Sequence, residues 1–242
     1  MSFGKIYTYP KAPRSTPTLY IAYYNKLDVE IVTALPGKIY LDHDGVGEEY
    51  FSKFHTGKVP AVETADGFCV YESIATSWFL AKQDPNTKLL GSNLREETTV
   101  LRWASFTNYE LLPPIMAWIN PIIGRAPSSP EILDQLEQNC ELTVRAVEKE
   151  IKGKKFLVGD VLTMADLFVI SGLARGYQFL QQAFLTGYSN GQVFTKKWAA
   201  KHPIVHKYYE SIRTDPIFTK ILGEHVVRDE PGGTYPDYDG LK

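Results

Sequence analysis

Short runs in which apolar and β-branched residues alternate with polar ones occupy the first third of the chain; longer stretches with apolar residues three and four apart occupy the rest. Residues 5–9 (KIYTY) predict a strand that stops at Pro10. Pro10, Pro13 and Pro17 make the next stretch a structured loop. A helix is expected to start around residues 15–17, where a Ser or Thr cap and a first-turn Pro agree, with Leu19, Ala22, Tyr23 and Leu27 on one face. Residues 28–34 predict a second strand, 36–47 a polar loop and 48–54 a short helix. Two short strands, 59–63 and 68–71, are joined by a turn through Asp66-Gly67, and 72–81 is helical. The order is β-α-β-α-β-β-α.

The texture changes near residue 83. Asp84-Pro85-Asn86 opens a linker running to about residue 93. Residues 94–120 then read as one long helical stretch, kinked by Pro113-Pro114. Residues 124–130 form a loop. Leu133, Leu136, Cys140, Val144, Val147 and Ile151 mark an amphipathic helix. A further helix over 163–179 carries Ile170, Leu173, Ala174 and Tyr177 on one face. Trp198 and residues 203–212 give another, and 216–222 a short last one. Beyond Glu224 the chain is polar and rich in Gly and Pro. The expected division is a first domain over 1–83, a linker over 84–93, an all-α domain over 94–224 and a tail over 225–242.

Composition narrows the classes. Of 242 residues 44% are hydrophobic, too many for disorder, and 26 basic residues against 28 acidic ones give a net charge of −2. That balance offers no electrostatic reason to expect nucleic acid or an anionic membrane as partner. No apolar run approaches the roughly 20 residues of a membrane span, and Met1-Ser2-Phe3-Gly4-Lys5 lacks the apolar core of a secretion signal. Cys69 and Cys140 make neither a disulfide framework nor a zinc site. His202 and His206 lie four apart with no further ligand in view, so they read as surface or packing residues and no metal is expected. A cytoplasmic location follows as an expectation.

Three segments carry candidate chemistry. In Gly57-Lys58-Val59-Pro60-Ala61, Pro60 belongs at a strand start, because it cannot donate to a ladder. A cis Val59-Pro60 bond there would leave the Val59 backbone free to pair with an extended peptide ligand. The plainer alternative is a rigid turn. Glu72-Ser73 opens a helix, whose free N–H groups suit a carboxylate. Ser73 adds a hydroxyl, and Glu72 could accept from an ammonium. Together they could hold an amino-acid zwitterion, unless they merely cap the helix. Thr163-Met164-Ala165-Asp166 has the form of a capping box. Asp166→Ala would cost on the order of 1 kcal/mol if Asp166 only caps, and more if it is buried.

The chain resembles the cytosolic glutathione transferases, a family that joins a thioredoxin-like domain to an all-α domain. It is most similar to the transferase-like N-terminal region of elongation factor 1-gamma. Ile6-Tyr7-Thr8-Tyr9-Pro10, Trp103-Ala104-Ser105-Phe106 and the blocks 53–61, 66–73, 156–159 and 162–166 carry the likeness, which covers about residues 3–224. It implies a pocket for reduced glutathione. Val59 and Pro60 would meet the cysteinyl backbone, and Glu72 and Ser73 the γ-glutamyl end. Lys58 and His43 would lie near the glycyl side. Tyr109, Pro113 and Trp118 would line the pocket for a small-molecule electrophile. Active members place a Tyr, Ser or Cys after the first strand to favour the thiolate. Here the ungapped serine position falls on Ala12, which leaves Ser15, Arg14 and Tyr9 as candidates, with Ser15 and Arg14 preferred.

Two functions follow from the resemblance. One is conjugation of the glutathione thiolate to electrophiles by a homodimeric detoxification enzyme. The other is an interaction module that binds elongation factor 1 subunits. Elongation factor 1-gamma continues through a Lys-rich linker, and residues 225–242 contain none, so the enzyme is the preferred expectation.

Overall fold

The computed structural model describes residues 2–34, 47–122, 126–127, 129–178 and 192–229. Four strands, β1 (Gly4–Thr8), β2 (Val29–Thr33), β3 (Ala61–Thr64) and β4 (Cys69–Tyr71), form one sheet in the order β2-β1-β3-β4. Strands β1 and β2 run parallel, with Ile6 opposite Ile31; β3 is antiparallel to both β1 and β4, with Val62 opposite Ile6 and Val70. Ile6 and Val62 are fully buried. The parallel pair requires a crossover, which α1 (Thr16–Tyr24) supplies. Two further helices, α2 (Gly47–Lys53) and α3 (Ser73–Ala81), complete the expected β-α-β-α-β-β-α order.

Helix α1 is shorter than its apolar spacing suggests. It ends at Tyr24, so Leu27 lies beyond it and only its N–H reaches back, to the Ala22 carbonyl at 2.9 Å. Residues 16–22 are all buried. A one-sided face is the wrong picture, because α1 packs against α3 on one flank and against helices of the second half on the other.

That second half contains α4 (Leu94–Phe106), a π-helical turn (Thr107–Leu111), α5 (Leu112–Ile122), α6 (Pro130–Ile151), α7 (Met164–Tyr177), α8 (Lys196–Lys201), α9 (Pro203–Arg213) and α10 (Pro216–Leu222). Asn93 caps α4 by accepting from the Arg95 and Glu96 N–H groups, both at 3.1 Å. The kink expected at Pro113-Pro114 takes the form of the π-turn, in which the Leu112 N–H reaches the Thr107 carbonyl. The two prolines withhold the donors that an α-helix would send to carbonyls 109 and 110, and the spiral widens just before them.

Helix α7 is the axis of this half, and every one of its residues is buried. Apolar spacing marks one face of it; neighbouring helices cover the others. Its first turn carries the expected capping box, with Asp166 Oδ2 accepting from the Thr163 N–H at 2.9 Å. Gly172 lets the π-turn approach, since a Cβ there would lie 2.9 Å from Thr107 Cγ2.

Candidate functional site

A cleft of about 470 Å³ opens between the sheet half and the π-turn. Its floor begins where β1 ends. Tyr9 leaves the sheet, and Ala12, Pro13 and Arg14 of the following loop line the wall. The opposite wall is Lys58-Val59-Pro60, with Thr56 beside it. The Val59-Pro60 peptide bond is cis. Among the described residues the Val59 N–H and C=O have no backbone partner, and Val59 is half-buried. The turn is held from behind by Tyr50, whose hydroxyl donates to the Lys58 carbonyl at 2.5 Å. Tyr50 is itself wedged against Phe54 and Tyr7, with ring centroids 4.8 and 5.5 Å away.

The closed end of the cleft is the start of α3. Glu72 has φ +72°, a left-handed conformation uncommon for a non-glycine residue and found at ligand sites. Its carbonyl accepts from the Thr76 N–H at 2.9 Å, and its side chain is exposed at the rim. The first N–H groups of α3 have no helical partner, and the positive end of the helix dipole faces the same space. Ser73 is 3% exposed, and its Oγ accepts from Asn108 Nδ2 at 2.8 Å. The Asn108 main-chain carbonyl accepts from Arg14 Nη2 at 3.3 Å. Arg14 is otherwise exposed at the mouth. Tyr109 and Met116 complete the second-half wall, and Met116 is held by Arg175 Nε, 3.0 Å from its sulfur. The lining thus combines two cations, Arg14 and Lys58, with one anion, Glu72.

Eight sequence-selected residues meet here: Tyr9, Arg14, Lys58, Val59, Pro60, Glu72 and Ser73, and Tyr109 across from them. Three others lie elsewhere. Ser15 is fully buried beneath the loop; its hydroxyl has no partner among the described residues and does not reach the cleft lining. It sits at the helix start as expected but makes no capping bond, because its own backbone is already helical at φ −87°, ψ −19°. Trp118 is packed into the core, 6.2 Å from the Phe194 ring. Pro113 is exposed and outside the lining. Regular α-helical spacing would carry Pro113, four positions on, onto the face of Tyr109, and the π-turn breaks it; Trp118, nine positions on, falls on the opposite, core-facing side. His43 lies outside the described residues.

Pro13, Thr56, Asn108 and Met116 line the cleft without having been singled out for it by sequence reasoning. Asn108 had a weak signal: a polar residue in a largely apolar helical stretch, five positions before a Pro-Pro step. The two cysteines are free thiols, and burial pushes that of Cys140 up. Among the described residues no helix is long and apolar enough to cross a membrane, and no cluster of three metal-ligating side chains occurs.

Comparison with known proteins agrees with this architecture. A family model described as "Glutathione S-transferase, C-terminal domain" matches residues 111–216. A glutathione S-transferase of Emericella nidulans is 31% identical over 229 residues, which cover 95% of this chain and 96% of that protein. Elongation factor 1-gamma of Mus musculus is 29% identical over 225 residues, covering 93% of this chain and 47% of that protein. The chain therefore spans about half the length of that relative. Among solved structures, the GST-like domain of elongation factor 1-gamma from Saccharomyces cerevisiae superposes with a TM-score of 0.76 at 25% identity, covering 98% of this chain and all of that one. A glutathione transferase from Phanerochaete chrysosporium, solved with oxidized glutathione, superposes with a TM-score of 0.73 over 91% of this chain and 94% of its own; at 16% identity that likeness speaks for the fold. A thioredoxin-like half joined to a helical half, matched over nearly its whole length by a transferase, identifies the chain as a member of the glutathione S-transferase superfamily close to elongation factor 1-gamma.

Proposed function

We propose that the cleft binds reduced glutathione and that the protein adds the glutathione thiolate to small electrophiles. The observation that carries this reading is the Val59 backbone, unpaired among the described residues, at one side of a cleft whose closed end is Glu72, Ser73 and the first N–H groups of α3. An extended peptide can pair with such a backbone as an added strand. A carboxylate suits the helix start, and an ammonium suits Glu72. Lys58 lies on the glycyl side of this arrangement.

The chemistry requires the thiol to lose its proton to solvent. The sulfur lone pair then forms a bond to the electrophilic carbon, and the displaced electron pair moves onto the electrophile or its leaving group. The protein assists by donating to the sulfur, which favours the thiolate. Ala12 has no group to give. Arg14 and Tyr9, both in the lining, are the donors assigned to this role. Tyr109 and Met116 offer an apolar wall for the electrophile. A homodimeric, cytoplasmic enzyme of detoxification is the wider form of the reading.

The likeness to the yeast elongation factor domain over its full length favours a second reading, in which the same fold is an assembly arm for elongation factor 1 subunits. Calorimetric titration with reduced glutathione separates the two. Micromolar to low-millimolar binding, weakened by about 1–3 kcal/mol in Glu72→Ala and in Ser73→Ala, supports the enzyme. No binding by the unaltered protein at several millimolar favours the assembly arm.

A further inference from the structure

Asn108 joins the two halves of the cleft through both its side chain and its main chain. A serine hydroxyl has one proton and two acceptor lone pairs, whereas an amide NH₂ can only donate. The Asn108 Nδ2 group, 2.8 Å from Ser73 Oγ, therefore occupies a lone pair of Ser73 and leaves its proton to point elsewhere. Ser73 is almost fully buried, and it lines the cleft. The Asn108 carbonyl meanwhile holds Arg14 Nη2 at 3.3 Å, and the other guanidinium donors have no hydrogen-bond partner among the described residues. The α3 N–H groups are donors as well. Ser73 and the α3 N–H groups therefore all offer hydrogen, a set that accepts an anion and leaves an ammonium to Glu72 at the rim.

We propose that Asn108 is a positioning residue: its side chain fixes Ser73 as a hydrogen-bond donor, which makes the Ser73 side of the closed end selective for a carboxylate, and its carbonyl anchors Arg14 at the mouth. The inference rests on the reading that the cleft binds glutathione, and it assigns part of that specificity to the helical half. The π-turn is what places it: Thr107, beside Asn108, seats against Gly172 of α7.

The test is Asn108→Asp, which keeps the shape and reverses the polarity. An ionised carboxylate there takes the Ser73 proton and faces the ligand carboxylate with a like charge. Reduced glutathione is titrated calorimetrically into wild type, N108D and N108A between pH 8 and pH 5. In parallel, urea unfolding of S73A, N108A and the double variant without ligand measures the Ser73–Asn108 coupling. N108D is expected to bind about tenfold or more weakly at pH 8 and to recover as the pH falls, because a buried carboxyl titrates above its usual range. N108A is expected to weaken binding by about three- to tenfold without recovery. The unfolding constants of the two single variants should combine to exceed that of the double variant by about fivefold. N108D binding like wild type, or weakened by one factor at every pH, overturns the proposal. If wild type binds no glutathione, the coupling decides: its presence strikes only the ligand reading and keeps the bridge, and its absence strikes the bridge itself.

Discussion

Tyr208 of α9 donates its hydroxyl to Asp166 Oδ1 at 2.8 Å, tying α9 to the first turn of α7. The same oxygen accepts from the Leu157 N–H at 2.9 Å, and Oδ2 accepts from both the N–H and the hydroxyl of Thr163, at 2.9 and 3.0 Å. What reads in sequence as a local cap is thus a four-donor hub at the centre of the helical half. Burial pushes the Asp166 carboxyl up, and the four donors pull it back only in part.

Asp166→Ala should therefore cost on the order of 3–5 kcal/mol, well above the loss of a cap, because it strands two buried N–H groups and two hydroxyls. Tyr208→Phe removes one donor and should cost about 1.5–3 kcal/mol. Urea unfolding of the two variants checks both values, and an Asp166→Ala cost near 1 kcal/mol would reduce the hub to a cap.

Acid should loosen the fold as two buried imidazoles are driven to take up protons. Burial holds the His202 imidazole below its usual range, against the pull of the Glu141 carboxylate 3.9 Å away. It holds that of His225 down as well, although Glu210 lies 2.6 Å from it. A depressed imidazole means that the unfolded chain binds protons the folded chain does not. That contribution to stability is complete above about pH 6.5 and is lost as the pH falls below it. The urea midpoint should drop between pH 7.5 and pH 5.5, and less so in the His202→Gln/His225→Gln variant. Equal drops in both proteins would show that other groups set the slope.

Ser15 and Arg14 are neighbours in sequence with opposite surroundings. Ser15→Ala removes a buried hydroxyl that has no partner among the described residues and should leave stability unchanged or raise it by up to about 1 kcal/mol. Arg14→Ala should lower kcat/KM for glutathione conjugation to an aryl halide by about 10–100-fold, as the donor proposed for the sulfur is lost. A Ser15→Ala protein of normal stability with no turnover, beside an Arg14→Ala protein of full activity, would transfer the role to Ser15.

Local residue patterns are enough to read the alternation of strands and helices in the first half, the capping box at Thr163 and Asp166, and the Lys58–Pro60 and Glu72–Ser73 segments. Each rests on physics that acts within a few residues: side chains alternating across a strand, a proline that cannot donate to a ladder, a polar residue at a helix start. Tertiary structure decided the rest. Only packing shows that α7 is buried on every side, since apolar spacing marks a preferred face and does not count the neighbours. Only packing separates Arg14 in the cleft from Ser15 beneath it, because the two share one loop and differ in the direction the fold gives them. The π-turn and Asn108 depend on Gly172, more than sixty residues away, and no local pattern carries a contact over that distance. Trp118 passed for a pocket residue for the same reason: whether an aromatic faces a ligand or a core depends on which helix lies against it.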